Sequence, residues 1–166
     1  MFFSADNGTN GNELWKSNGT SAGTVMVKDI LLIGSSSPQD LVNVNGTLYF
    51  SADDGVTGRE LWKSDGTSAG TVMVKNIMPG SNFSAANYLT NVNGVLFFVA
   101  NDGTNSLELW KSDGTLAGTV IVKDIRPGAT SSFPYELINV NGVLFFAAND
   151  GTNGDELWKS NGTSAG

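Results

Sequence analysis

The apolar positions of this chain come in four short bursts per period and never settle into a helical stripe. The first burst leads into an Asn-Gly pair, as in Tyr135-Glu136-Leu137-Ile138-Asn139-Val140 before Asn141-Gly142, and its equivalents end at Gly46 and Gly94. The second is the most apolar: Leu48-Tyr49-Phe50-Ser51-Ala52, then Val95 to Ala100, then Val143 to Ala148. The third is Glu-Leu-Trp-Lys-Ser, and the fourth spans Thr24 to Ile30, Thr71 to Ile77 and Thr119 to Ile125. A run that is apolar on both faces and rich in aromatic and β-branched residues predicts a strand covered on both sides. No segment keeps helical periodicity over about 11 residues, so all four bursts read as strands, a to d, and the fold class is all-β.

The joints between bursts carry turn chemistry. Asn-Gly supplies the two positive φ values of a primed turn, which makes a and b a tight hairpin. Loops such as Asp53-Asp54-Gly55-Val56-Thr57-Gly58-Arg59 join b to c, and Ser-Asp-Gly-Thr-x-Ala-Gly joins c to d. There the Asp or Asn side chain can hold its own backbone while the glycines take unusual dihedrals. Segments containing Pro38, Pro79, Pro127 and Pro134 lead from one period to the next.

The repeat sets the architecture. Trp15, Trp62, Trp110 and Trp158 stand 47, 48 and 48 residues apart, each inside a copy of the wording ELWKSDGTSAGT. Four antiparallel strands per period predict a β-propeller built of four-stranded blades, with a solenoid of stacked hairpins as the competing arrangement. Residues 1–166 form one repeat domain: 1–30 as a partial blade bcd, 31–77 and 78–125 as full blades, and 126–166 as a partial blade abc. Three periods plus an overlap do not close a ring alone. The expectation is closure by oligomerisation, three blades per chain and six in a two-fold homodimer, with one bc hairpin displaced at each junction. A four-bladed monomer, a larger assembly and a piece of a longer protein are the alternatives. Met1-Phe2-Phe3-Ser4-Ala5-Asp6 reads as a repeat joined partway through and not as a signal peptide, since it lacks a basic flank and a long apolar stretch.

Composition narrows the chemistry. The formal net charge is -7, with no basic run, which argues against nucleic acid as a partner. No apolar run approaches the roughly 20 residues of a spanning helix, so membrane insertion is not expected. The chain has neither Cys nor His, which removes disulfides, thiolate metal sites and the commonest neutral-pH base.

Three groups of residues invite a functional reading. Trp15, Trp62, Trp110 and Trp158 can serve as sugar-stacking platforms, or pack between blades. Asp53 with Glu60, and Asp150 with Glu156, sit in loops rich in the oxygen ligands that calcium takes, although the spacing does not match a twelve-residue calcium loop. Otherwise no cofactor is expected. Glu13, Glu60, Glu108 and Glu156 recur at the head of the Trp strand; a catalytic pair is one asymmetric constellation, so repetition favours a carboxylate holding backbone N–H groups of the adjacent loop. Lys28, Lys75 and Lys123 read as solvated outer-strand residues that discourage edge pairing.

The order of strands, with Val140-Asn141-Gly142-Val143-Leu144-Phe145-Phe146 followed by Glu-Leu-Trp-Lys-Ser, resembles a kelch-type blade, with Ala147-Ala148 where kelch has a double glycine. The wording ELWKSDGTxAGTxxVKDIxPG, nearly intact over 60–80 and 108–128, resembles a repeat of large bacterial secreted or surface proteins. That resemblance covers essentially the whole chain and implies an extracellular or cell-surface setting without implying an activity. The reading that follows is a non-enzymatic structural or interaction module. A multivalent lectin is the alternative, drawing on the tryptophans and on Phe83, Tyr88, Phe133 and Tyr135. Glycoside hydrolysis is the third and conflicts with the repetition.

Overall fold

The computed structural model describes residues 1–80 and 84–166, and it is all-β. Among the described residues fourteen strands follow one another: β1 (Phe2–Asp6), β2 (Asn12–Lys16), β3 (Val25–Lys28), β4 (Gln39–Val44), β5 (Thr47–Asp53), β6 (Arg59–Ser64) and β7 (Val72–Lys75). The second half comprises β8 (Asn87–Val92), β9 (Val95–Asn101), β10 (Leu107–Ser112), β11 (Val120–Lys123), β12 (Tyr135–Val140), β13 (Val143–Asn149) and β14 (Asp155–Ser160). They form four antiparallel meanders: β1-β2-β3, β4-β5-β6-β7, β8-β9-β10-β11 and β12-β13-β14. Each sheet occupies one of the repeat units read from the sequence. Among the described residues no helix is long and apolar enough to cross a membrane.

The a–b hairpins turn on Asn45-Gly46, Asn93-Gly94 and Asn141-Gly142, all with positive φ at both residues, as a primed turn demands. The central strands behave as their patterns require. All five interior residues of β5 and of β9 are buried. The fourth strand is shorter than its apolar pattern: β3, β7 and β11 stop at Lys28, Lys75 and Lys123. The two residues beyond leave the ladder because the amide of Ile30, Ile77 or Ile125 turns to a glutamate of the third strand instead of a neighbouring strand.

The first strands of sheets two to four each carry one extra residue. Gln39 pairs with Ser51 but Val42 with Tyr49, and the same slip recurs between Asn87 and Thr90 and between Tyr135 and Ile138. Asp40, Tyr88 and Glu136 occupy the bulge with φ of 54°, 55° and 54°. Such bulges bend a strand and re-aim its side chains.

Burial lies between sheets. Leu14, Val27 and Ile30 of sheet one pack on Leu48, Phe50, Ala52 and Trp62 of sheet two. Leu61, Val74 and Ile77 of sheet two meet Leu96, Phe98, Ala100 and Trp110 of sheet three, and Leu109, Val122 and Ile125 meet Leu144, Phe146, Ala148 and Trp158. Three equivalent cores thus join four sheets in sequence. The first strands lie side by side, β8 against both β4 and β12. Asparagine amides link them: Asn91 donates to Asn43 O at 2.9 Å, Asn139 to Asn91 O at 2.9 Å, and Asn93 to Gly142 O at 3.1 Å.

Lys28 and Lys75 are half-buried and differ from their expected solvated role, whereas Lys123 is exposed as expected. Lys28 Nζ lies 5.9 Å from the Trp62 ring, Lys75 Nζ 5.5 Å from Trp110, and Lys123 Nζ 5.9 Å from Trp158. Lys28 and Lys75 also donate to the carbonyls of Thr71 and Thr119 at 2.8 and 2.7 Å. One step further in, Lys16, Lys63 and Lys111 donate to Gly66 O, Gly114 O and Gly162 O. An ammonium on a four-carbon stem can cross to the next sheet, and there it finds an aromatic face and free carbonyls.

Candidate functional site

The four tryptophans belong to the joints between sheets. Trp62 and Trp110 are 7% and 5% exposed, and each ring is roofed by a lysine of the preceding sheet. Trp15 and Trp158 are half-buried. The indole N–H of Trp158 donates to Ala148 O at 3.0 Å, while those of Trp15, Trp62 and Trp110 are enclosed. A sugar stacks only on a ring with an open face, and Trp62 and Trp110 have none to offer.

Glu13, Glu60 and Glu108 are fully buried and tie three pieces of chain together. Glu13 accepts from Ile30 N, Ser36 N and the Ser36 hydroxyl; Glu108 accepts from Ile125 N, Ser132 N and the Ser132 hydroxyl. Glu60 accepts from Ile77 N at 3.0 Å and Met78 N at 3.3 Å. Burial raises the Glu60 and Glu108 carboxyls above the ordinary glutamate value, and these donors oppose it only in part. Each carboxylate therefore latches the end of a fourth strand and the connection to the next sheet onto the third strand. Glu156, by contrast, is exposed.

The oxygen-rich loops are internally bonded. Asp53 Oδ1 accepts from Gly55 N, and Asp54 Oδ1 from Val56 N, Thr57 N and the Thr57 hydroxyl. Burial pushes Asp54 upward, and these donors outweigh it, leaving the carboxyl below its ordinary value. Asp150 repeats the arrangement with Thr152 and Asn153. The calcium pairs are not brought together: Asp53 stands opposite Arg59 and Glu60 opposite Ala52, adjacent register positions that face opposite sides of the sheet. Asp150 lies beyond the end of β13, and Glu156 pairs with Ala148. Among the described residues no three acidic side chains converge as a metal site.

The turn between third and fourth strands is a cage of short-range bonds. Asp65 Oδ1 accepts from Thr67 N and the Thr67 hydroxyl, and Ser64 and Thr71 share a hydroxyl–hydroxyl bond of 2.7 Å. Gly70 is required because a Cβ there would collide with the Asp65 carboxylate. Asn18 and Asn161 accept the same bonds in the outer sheets, so the position needs an oxygen and not a charge.

Two clefts open at one end of the joints between sheets, at equivalent positions. The one between sheets two and three is lined by Gln39, Asp53, Arg59, Ala85, Ala86 and Asn87. Arg59 donates to Ser37 O at 2.9 Å and to Ser51, and burial lowers its basicity against the pull of Asp53 and Asp40. The one between sheets three and four, of about 310 Å³, is lined by Tyr88, Leu107, Phe133 and Tyr135, with Asn87, Val99 and Pro134. Three of the aromatics singled out in the sequence meet here; Phe83 lies outside the described residues. Their convergence was hidden in the sequence because 45 or more residues separate Tyr88 from Phe133 and Tyr135. The usable signal was that otherwise near-identical repeats differ at these positions.

Comparison with protein-family models, with characterised proteins and with solved structures finds no match to this chain.

Proposed function

We propose that the chain is a non-enzymatic interaction module of bacterial extracellular or surface type, built as a β-propeller whose blades close through further copies of itself. The observation that carries this reading is the contrast among equivalent leucines. Leu14, Leu61 and Leu109 are 0%, 0% and 1% exposed beneath the following sheet, whereas Leu157 is 76% exposed. Sheet four thus presents the face that sheets one to three each cover with a successor, and in an exchanged pair Leu157 takes the place of Leu14 beneath sheet two of the second copy. The adjacency of the first strands and the three serial joints agree with blades set around an axis.

Sequence supports the same closure. Residues 13–23 and 156–166 are identical, ELWKSNGTSAG. β3 pairs with β2 through Leu14↔Lys28, Trp15↔Met26 and Lys16↔Val25. The β14 strand of a second copy offers β3 the same side chains in the same register. Exchanging β2 for it yields three blades per chain and a six-bladed homodimer.

Repetition of the carboxylates, and their use in holding backbone amides, supports the absence of catalysis. The test is molar mass by light scattering. A mass twice that of the 17.4 kDa chain, reverting to a single chain in Leu157→Lys, is the expected result. A monomer at roughly 100 μM, far above the Kd of a stable pair, overturns it.

A further inference from the structure

The cleft between sheets three and four differs from its counterpart one repeat earlier at nearly every wall. Tyr88 stands where sheet two has Asp40, Leu107 where it has Arg59, and Val99 where it has Ser51. Phe133 and Tyr135 replace Ala85 and Asn87 of the earlier cleft. The changes share one direction. Charge leaves, and flat rings arrive.

Two of those rings sit where the backbone does not favour them. Phe133 has φ of 48° and Tyr88 φ of 55°, left-handed values that cost a bulky L-residue about 1–2 kcal/mol. Neither residue recovers that cost by burial, since Phe133 is 58% and Tyr88 47% exposed. Among the described residues neither the Tyr88 nor the Tyr135 hydroxyl is engaged in a hydrogen bond. The left-handed φ belongs to the repeat, since Ser37 and Ala85 share that of Phe133, and Asp40 and Glu136 that of Tyr88; what sets this cleft apart is that bulky, exposed rings occupy both positions, a cost that packing does not repay.

We infer that this cleft binds a neutral saccharide, one pyranose ring stacking on the Tyr88–Phe133–Tyr135 wall. An uncharged lining in a chain of net charge -7 selects against anions and gives a cation no carboxylate in the wall. The occupant must offer an apolar face to the rings and hydroxyls to the phenols, which is the two-sided chemistry of a sugar ring. A volume of about 310 Å³ lies at the small end of ligand clefts and suits one or two rings better than an extended peptide. The site lies within one chain and does not depend on closure between copies.

The experiment is isothermal titration and saturation-transfer NMR against a panel of neutral mono- and oligosaccharides. The wild type, Phe133→Ala, Tyr135→Asn and Leu157→Lys are compared. The first two single substitutions install the residues of the earlier cleft, which the fold already accommodates. At least one saccharide binds with Kd on the order of 1 mM or tighter, and Phe133→Ala and Tyr135→Asn each weaken it about tenfold or more. Leu157→Lys retains binding, which keeps this result separate from that of self-association. No binding across the panel, binding indifferent to both cleft substitutions, or selective capture of a proline-rich peptide instead of any sugar overturns the proposal.

Discussion

Lys75 and Trp110 belong to different sheets, yet the ammonium of the first lies 5.5 Å from the ring centroid of the second. The same ammonium donates to Thr119 O at 2.7 Å, so one side chain makes two bonds across the joint. A cation over a largely desolvated indole is worth about 0.5–2 kcal/mol, and the hydrogen bond about 1 kcal/mol more. Lys75→Met keeps the aliphatic stem and loses both. It is expected to lower unfolding free energy by about 1.5–3 kcal/mol in urea titration. Lys123→Met, which loses only the contact with Trp158, is expected to cost less.

Glu60 and Glu108 give a pH dependence whose sign follows from their raised carboxyl pKa values. Between the unfolded and folded values the native state holds more protons, so the contribution of Glu108 to stability is fully present below the unfolded value. It falls as pH rises through the folded one. Glu108→Gln removes this titration and places an amide N–H₂ against backbone donors. The variant is expected to be less stable by about 1–3 kcal/mol, and the gap to wild type is expected to narrow as pH rises through the raised value. A gap that widens with pH overturns the latch as described. Thermal unfolding from pH 3.5 to 7 in matched buffers measures it.

The Asp65 turn separates charge from geometry. The Thr67 hydroxyl, followed by its amide, holds the Asp65 carboxyl below its ordinary value. Asn18 and Asn161 nevertheless make the same bonds in sister turns. Asp65→Asn is therefore expected to leave the melting temperature unchanged near neutral pH, whereas Asp65→Ala lowers it by freeing Thr67 and opening space beside Gly70. Paired melting curves decide it, and equal losses in both variants contradict a purely geometric role.

The strand order was legible because each determinant is local. Asn-Gly pairs specify the hairpins, and the double-faced apolar run of Leu96 to Ala100 marks a strand covered on both sides. The reach of Lys28 and Lys75 is not legible, because an outer strand ordinarily faces water and nothing local to Lys28 shows that Trp62 of the next sheet comes within reach. Glu13 was legible as a holder of backbone amides, but its partner Ser36 is 23 residues away, and only the fold unites them. Tyr88 is legible as a candidate exposed aromatic, yet the cost of its φ and the company of Phe133 depend on a bulge and on the joint between two sheets.

Strain at the aromatic cleft yields a prediction opposite in sign to most substitutions. Phe133 is more than half exposed, so removing its ring loses little packing, while its φ of 48° is one that glycine adopts without steric cost. Relief of the left-handed conformation, about 1–2 kcal/mol, is offset in part by the greater freedom glycine gives the unfolded chain, about 0.5–1 kcal/mol. Phe133→Gly is expected to raise unfolding free energy by up to about 1 kcal/mol and Ala85→Gly, at φ of 53°, to behave similarly. Only the first abolishes binding at the cleft. Loss of stability in Phe133→Gly with no such loss in Ala85→Gly would mean that the ring stabilises the fold, and the argument from strain to ligand would fail with it.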